Sequence, residues 1–403
     1  MLQRGERARA PARLDDVLAG LPAGAALVSY VRCEAEPAPL ARPACYVAFA
    51  ARAGGDVEAR MLGGAAALDM LVARWRGALL ARGPGAEARA RADGERLRRA
   101  VWDPVRSPDA ASRVFVVFDG ALLGVTPYAW PARAGGWLVE RGAVVEPLTA
   151  ERELSRRSPR AAGSGLLLAI GGVRHAVRPG AIAPAPLPES AREVDSLAAL
   201  WRALPAVSAV RRAEILRGEG ATCAALRARA PAAQVLHVAT HGVFADDARA
   251  IAREPQPGRV SLRAVLARSG LLLAAAPGES GDAAGFLSAS DAASLDLRGA
   301  HWVVLSGCET AAGRVLAREG AVGLERAFKL AGARVVIASL WPVEDRAARE
   351  WMTALYRARW SDGLSTGAAA RAACREVLAR RRRLGLSDAP ATWAGFVTSG
   401  IDD

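Results

Sequence analysis

Residues 303–310 read VVLSGCET, so Cys308 stands where an apolar run gives way to small and charged residues. A second reactive group is placed the same way, because VLHVATHG delivers His241 followed by Gly242. The two lie 308 − 241 = 67 positions apart. In an open α/β sheet, ligands bind beyond the carboxyl ends of the strands. If the two strands are parallel neighbours, imidazole and thiol emerge at one edge. Acyl transfer is the chemistry that pair supports. A thiolate is the nucleophile, and an adjacent imidazolium lowers a thiol pKa from about 8.5, by several units in favourable sites. The same imidazole can then protonate a leaving amine. Gly242 allows close backbone approach, so the N–H groups of Gly242 and Cys308 are the candidate oxyanion hole.

Other chemistries fit less well. His237-x-x-x-His241 has metal-ligand spacing on a helix, but its apolar neighbours indicate a strand. Four strand residues span about 13 Å, too far for one ion. No metal or cofactor is therefore expected, and His237 is read as a hydrogen-bonded core histidine. His175 and His301 have no partner visible in sequence and default to structural or surface roles. There is no G-x-x-x-x-G-K phosphate loop, and Ser306 lacks the G-x-S-x-G context of a hydrolase elbow. The five cysteines form no C-x-x-C pair. Cys374 falls on a helical apolar stripe, Cys33 and Cys45 lie in strand-like runs, and Cys223 follows a plausible N-cap, Thr222. Only Cys308 occupies a place that packing does not explain.

The elements that must position this chemistry come in two stretches. Strands are expected at 26–33 and 45–51, helices at about 65–82 and 85–102, and then a buried strand and Asp-Gly turn in RVFVVFDG. An Arg/Ser/Pro/Gly-rich segment, 151–164, is the best boundary. It separates an N-terminal non-catalytic part, 1–155, from a catalytic domain, 165–403. Beyond it, strands GLLLAIGG, QVLHVATHG, AHWVVLSGC and ARVVIASLW alternate with helices, which implies an α/β fold with a mainly parallel sheet covered on both faces. A loop-rich insert occupies 245–286.

Composition bounds the partners. The net charge is +13 and the pI about 10.8, yet Lys329 is the single lysine among 54 basic residues. The arginines are scattered among acids, apart from RRRR at 380–383, and aromatics are not interleaved with them as base-stacking platforms would require. Nucleic acid is therefore an unlikely partner. No apolar run reaches the length of a membrane span, and MLQRGERARAPARLDD lacks the apolar centre of a secretory signal. No membrane association and a cytoplasmic location are expected.

VLHVATHG, FLSASDAASLDLRGAHWVVLSGCETAAGR, GAVGLERAFKLAGARVVIASLWPVED and ATWAGFVTSG together resemble the CHAT domain, a caspase-like peptidase domain. The resemblance extends upstream through VFVVFDGALLGVTPYAW and, more weakly, to about residue 20. It implies the fold of caspases and separases, and hydrolysis of protein substrates by a His241–Cys308 dyad. Residues 1–155 become a degenerate caspase-like half that carries partner contacts. Ser339, Leu340 and Trp341 would pair with the substrate backbone. Asp345 would favour a basic residue before the scissile bond, whereas Arg174 would favour an acidic one. Latency until a regulatory protein partner or signal acts is the further expectation, with the insert bordering the cleft. The alternative is a catalytically silent scaffold. Gly307 replaces the customary alanine before the nucleophile, a departure expected to have little chemical consequence.

Overall fold

A computed structural model describes residues 12–35, 43–105, 111–155, 164–175, 184–205, 210–244, 269–279, 284–307 and 316–401. The chain divides into two compact units. One comprises Met1–Pro159, Arg382–Ala394 and Ser399–Ile401, and the other Arg160–Arg381 and Gly395–Thr398, with the last two residues. The division falls inside the Arg/Ser/Pro/Gly segment, and the first unit also takes back a stretch near the C-terminus.

The first unit opens with α1 (Leu14–Ala19) and holds a five-stranded sheet. Its strands are β1 (Ala25–Cys33), β2 (Cys45–Arg52), β3 (Glu58–Gly64), β4 (Arg113–Val117) and β5 (Val144–Leu148), in the order β3-β2-β1-β4-β5. β1, β4 and β5 are parallel, whereas β2 and β3 run antiparallel to their neighbours. Helices α2 (Ala65–Leu80) and α3 (Ala86–Leu97) follow β3. The expected strands and helices are thus present, and the two strands pair as a hairpin. β3 goes beyond expectation, since its sequence EARMLGG is mostly exposed and gives no apolar run to read.

The second unit contains a six-stranded sheet built from β6 (Leu166–Val173), β7 (Arg212–Gly218), β8 (Val235–Ala239), β12 (Trp302–Ser306), β13 (Val335–Ser339) and β14 (Phe396–Ser399). The order is β14-β13-β12-β8-β6-β7, and the five strands from β13 to β7 are parallel. Alternate residues pack on opposite faces. Leu168, Ile170, Leu236, Val238, Val303, Leu305 and Val336 join one buried cluster with the helices α5 (Cys223–Arg229), α6 (Ala289–Ala292) and α7 (Leu316–Leu330). Leu167, Ala169, Val235, Val304, Val335 and Ile337 turn to the other face and are also fully buried. Burial of such a side chain contributes roughly 1.5–3 kcal/mol, so both covers are needed.

That second face lies under α4 (Pro188–Ala203), α8 (Asp345–Tyr356) and α9 (Thr366–Arg383). An aromatic chain runs through it. Trp302 contacts Tyr356 and Trp360 at ring-centroid distances of 5.6 and 5.3 Å, and Trp360 meets Trp201 at 5.0 Å. α4 crosses β6 so closely that a Cβ on Gly171 would sit 2.5 Å from Ser190 O. Glycine is required there by backbone approach. Cys223 and Cys374 are buried, as packing predicts. Cys374 is buried and its sulfur accepts from Trp351 Nε1 at 3.3 Å, while Thr222 caps α5 by accepting from Ala225 N.

β7 was not legible in sequence because RAEILRG buries only Leu216 at the sheet's edge. The expected loop 245–286 also needs correction. Residues 245–268 and 280–283 lie outside the described residues, but Ser269–Leu272 is a strand, β10. It pairs antiparallel with β9 (Gly242–Phe244) and β11 (Phe286–Ser288) in a separate three-stranded sheet. Among the described residues, no helix is long and apolar enough to cross a membrane.

Candidate active site

β8 and β12 are adjacent parallel strands in register, with Ser306 beside Ala239. One residue further on, a Cβ on Gly307 would lie 3.2 Å from Thr240 O. Gly307 has φ +93°, a conformation L side chains rarely adopt. An alanine at 307 would therefore be strained, so the glycine is a backbone requirement of this chain. Cys308 itself lies outside the described residues.

His241 follows β8 and is 2% exposed. Its Nε2 lies 2.7 Å from Ala185 O. A carbonyl only accepts, so Nε2 carries a proton, and in the neutral ring Nδ1 is then the unprotonated nitrogen. His241 O accepts from Leu272 N at 2.9 Å, which makes His241 and Leu272 a hydrogen-bonded pair. In an antiparallel ladder the next pair, Gly242 with Leu271, is the non-hydrogen-bonded kind. The Gly242 N–H therefore points away from β10, off the outer side of β9.

A third strand end contributes a group that sequence reasoning left without a role. β6 ends two residues before His175, whose ring centroid is 5.1 Å from that of His241. His175 Nε2 is 3.0 Å from Thr240 Oγ1, and that hydroxyl donates to Leu272 O at 2.5 Å. The hydroxyl proton is thus committed, so His175 Nε2–H is the donor. Burial, then repulsion from His241, pushes the His175 pKa down to about 4, with the Leu272 carbonyl opposing. The strand-end rule that picked out His241 applies equally to His175, and was the available signal.

This shift has a measurable consequence. His175 titrates near 4 folded but near 6.5 when unfolded. Between those values the unfolded chain binds more protons, so stability is full above pH 6.5 and declines as pH falls toward 4. Because the ring is only half-buried, the loss is on the order of 1 kcal/mol. Urea midpoints at pH 7 and pH 5 check it. The acid-induced drop is expected to shrink in His175→Gln, and an undiminished drop would place the effect elsewhere.

The residues expected to meet substrate lie at or beyond the ends of β13 and β6. Ser339 closes β13 and is 1% exposed, and its hydroxyl has no hydrogen-bond partner among the described residues. Leu340 N donates to Gly395 O at 2.7 Å, and the Trp341 ring packs against Gly395. That amide of Leu340 is used within the chain, so it is not the group that the expected substrate pairing could use. Asp345 is the first residue of α8, and its Oδ2 accepts from Glu189 N at 2.8 Å, at the start of α4. Burial raises its pKa, while the Glu189 N–H and the charge of His241 act against that rise. It is a half-buried carboxylate on a helix N-terminus, within electrostatic reach of His241. Arg174, by contrast, is 75% exposed and paired with the equally exposed Glu219 at 2.8 Å.

His237, four residues before His241, is wholly buried and bonded on both nitrogens, to Tyr356 Oη at 3.1 Å and Glu193 Oε1 at 2.7 Å.

Comparison with known proteins adds the following. The family model described as the CHAT domain matches residues 91–401. Tetratricopeptide repeat protein 28 of Mus musculus is 38% identical over 109 residues, 27% of this chain and 4% of that protein. Its Homo sapiens counterpart is 34% identical over 116 residues, 29% of this chain and 4% of that one. The chain thus spans about 4% of the length of these curated relatives. Among solved structures, the Saccharomyces cerevisiae separase–securin complex matches with a TM-score of 0.52 and 8% identity, covering 96% of this chain and 30% of that one. The Arg-specific cysteine proteinase gingipain R gives a TM-score of 0.44 at 9% identity, covering 83% and 73%. At such identities the likeness to separase is one of fold.

Proposed function

Since the chain belongs to the CHAT domain family, with a caspase-like fold, we propose that it is a cysteine endopeptidase working through His241 and Cys308. The observation that carries this reading is the parallel register of β8 and β12, which brings Gly307 against Thr240, each one residue before a proposed dyad member. In the proposed reaction His241 Nδ1 takes the thiol proton, and the thiolate attacks the scissile carbonyl. The Gly242 and Cys308 N–H groups receive the oxyanion. His241 then protonates the leaving amine, and water hydrolyses the acyl-enzyme. Ala185 O holds the imidazole ring in position throughout.

A regulatory protein partner belongs to this reading. It is supported by the separase structure, where separase is complexed with securin, and by curated relatives named for tetratricopeptide repeats. The proposed cellular site is the cytoplasm. A thiol-directed peptide inhibitor tests the chemistry. Labelling is expected at Cys308 and is expected to disappear in His241→Ala, whereas absence of labelling under every condition would leave a silent scaffold.

For the residue before the scissile bond, Asp345 is the better-supported reader. It is half-buried near His241, while Arg174 is spent on an exposed pair worth at most about 1 kcal/mol. Matched peptides differing only at that position are expected to show a preference for arginine or lysine. Asp345→Ala is expected to reduce that preference by about 10-fold or more, the loss of one charge-assisted hydrogen bond. A preference for acidic residues, unchanged by the substitution, would end this assignment.

A further inference from the structure

Cys33 closes β1 and Cys45 opens β2, and the two are directly opposite in the antiparallel ladder. Opposed residues in such a ladder have Cα atoms about 4.5 or 5.5 Å apart. Both distances fall inside the range of about 4.4–6.8 Å that a disulfide bridges. Both thiols are free and half-exposed, and their side chains are within hydrogen-bond reach of each other. Cys223 and Cys374 are different, since both are buried, which pushes their thiols up to about 11 and about 12. Neither offers a thiolate at neutral pH.

The surroundings give this pair a structural purchase. The next pair inward, Arg32 with Tyr46, converges on one carboxylate of α2. Arg32 Nε donates to Asp69 Oδ2 at 3.2 Å and Tyr46 Oη to Asp69 Oδ1 at 2.6 Å. Arg32 N donates to Asp119 Oδ2 at 2.9 Å, and Ala121 N to Tyr46 Oη at 2.8 Å. Ala65 N, at the start of α2, donates to Ala44 O at 2.9 Å. The loop end of the hairpin thus anchors α2 and the turn after β4, and the cysteines sit at its last rung.

We propose that Cys33 and Cys45 are a redox modification site: peroxide converts them to a cross-strand disulfide that clips the hairpin end, and a dithiol reductant reopens it. The atoms balance without a further reagent. One thiolate attacks the peroxide, forming a sulfenic acid as the O–O bond breaks and the alcohol or water leaves. The facing thiol attacks that sulfur, the S–S bond forms, and the sulfenic oxygen departs as water. Two thiols are oxidised and one peroxide is reduced. The loop closed is 44 − 33 = 11 residues, short enough for the clip to act locally. This site is independent of the proposed peptidase chemistry.

Burial and then the hydrogen bond with Cys45 hold the Cys33 thiol above the ordinary range, so clipping is expected to speed up as pH rises. The test treats the full folded chain with hydrogen peroxide, followed by non-reducing peptide mapping. Expected are a Cys33–Cys45 cross-linked peptide, a mass lower by two hydrogens in Cys308→Ser, and recovery of both thiols with dithiothreitol. In Cys45→Ser the cross-link is expected to vanish and Cys33 to accumulate as a dimedone-trapped sulfenic acid. If Cys45→Ser does not fold, mapping of the wild-type chain decides alone. Separate overoxidation of the two cysteines, or both remaining alkylatable after peroxide, would overturn the proposal.

Discussion

Cys308→Ala is expected to abolish peptide hydrolysis, and His241→Ala to lower kcat/KM by about 10²- to 10⁴-fold, the usual worth of one general acid–base group. Among the described residues the proposed nucleophile has no ready substitute, because Ser306 is buried within β12 and burial pushes the Cys223 thiol up to about 11. Among the described residues, His175 is the group placed to stand in for His241, its ring centroid 5.1 Å away. It is a poor replacement. Its Nε2–H is committed to Thr240, and a ring titrating near 4 is too weak a base to accept a thiol proton at pH 7. A double variant, His175→Gln with His241→Ala, is therefore expected to be no slower than His241→Ala alone. Both single variants should keep the wild-type fold by circular dichroism, since both positions follow the ends of strands. Turnover retained in purified Cys308→Ala would remove the dyad assignment.

How much of this was legible in sequence follows from what each residue buries. β6, β8, β12 and β13 are covered on both faces, so their residues read as continuous apolar runs, and the two strand-end groups followed from them. β3 and β7 lie at sheet edges with most side chains in water, and EARMLGG and RAEILRG carry no alternating signal strong enough to read. β10 was hidden inside a Gly- and Ala-rich insert, where four residues gain their strand character only from pairing with β9 and β11. The His175–His241 proximity arises because β6 and β8 are sheet neighbours, although 241 − 175 = 66 positions separate the histidines. Strand order of that kind is set by tertiary packing. Asp345 was likewise recognisable as a charge beyond a strand, but its attachment to Glu189, which ties α8 to α4, is a long-range contact with no local trace.

The second large effect is expected at the buried cluster beneath the site. Glu193 on α4, His237 on β8 and Tyr356 on α8 are 2%, 0% and 1% exposed. Burial, reinforced by the charge of Glu193, holds the Tyr356 hydroxyl well above its ordinary range, so it keeps its proton and donates to His237 Nδ1. His237 Nε2–H then donates to the Glu193 carboxylate. These three elements also carry the site: β8 leads to His241, α4 starts just after Ala185, and α8 begins with Asp345. Removing one partner strands a buried polar or charged group, which costs about 3–5 kcal/mol when a buried pair is broken. His237→Leu is therefore expected to destabilise the protein by that amount, because Glu193 is left without its partner. Adding Glu193→Leu should recover much of the loss, since replacing both partners by apolar groups of similar size is often neutral. Urea unfolding of the two single variants and the double variant gives the coupling. Losses that simply add would show that the cluster is not the unit tying β8 to α4. Thiol-directed labelling of the double variant separates the two roles. Stability regained with labelling still impaired would mean that the polar link orients His241 as well as stabilising the strand that carries it.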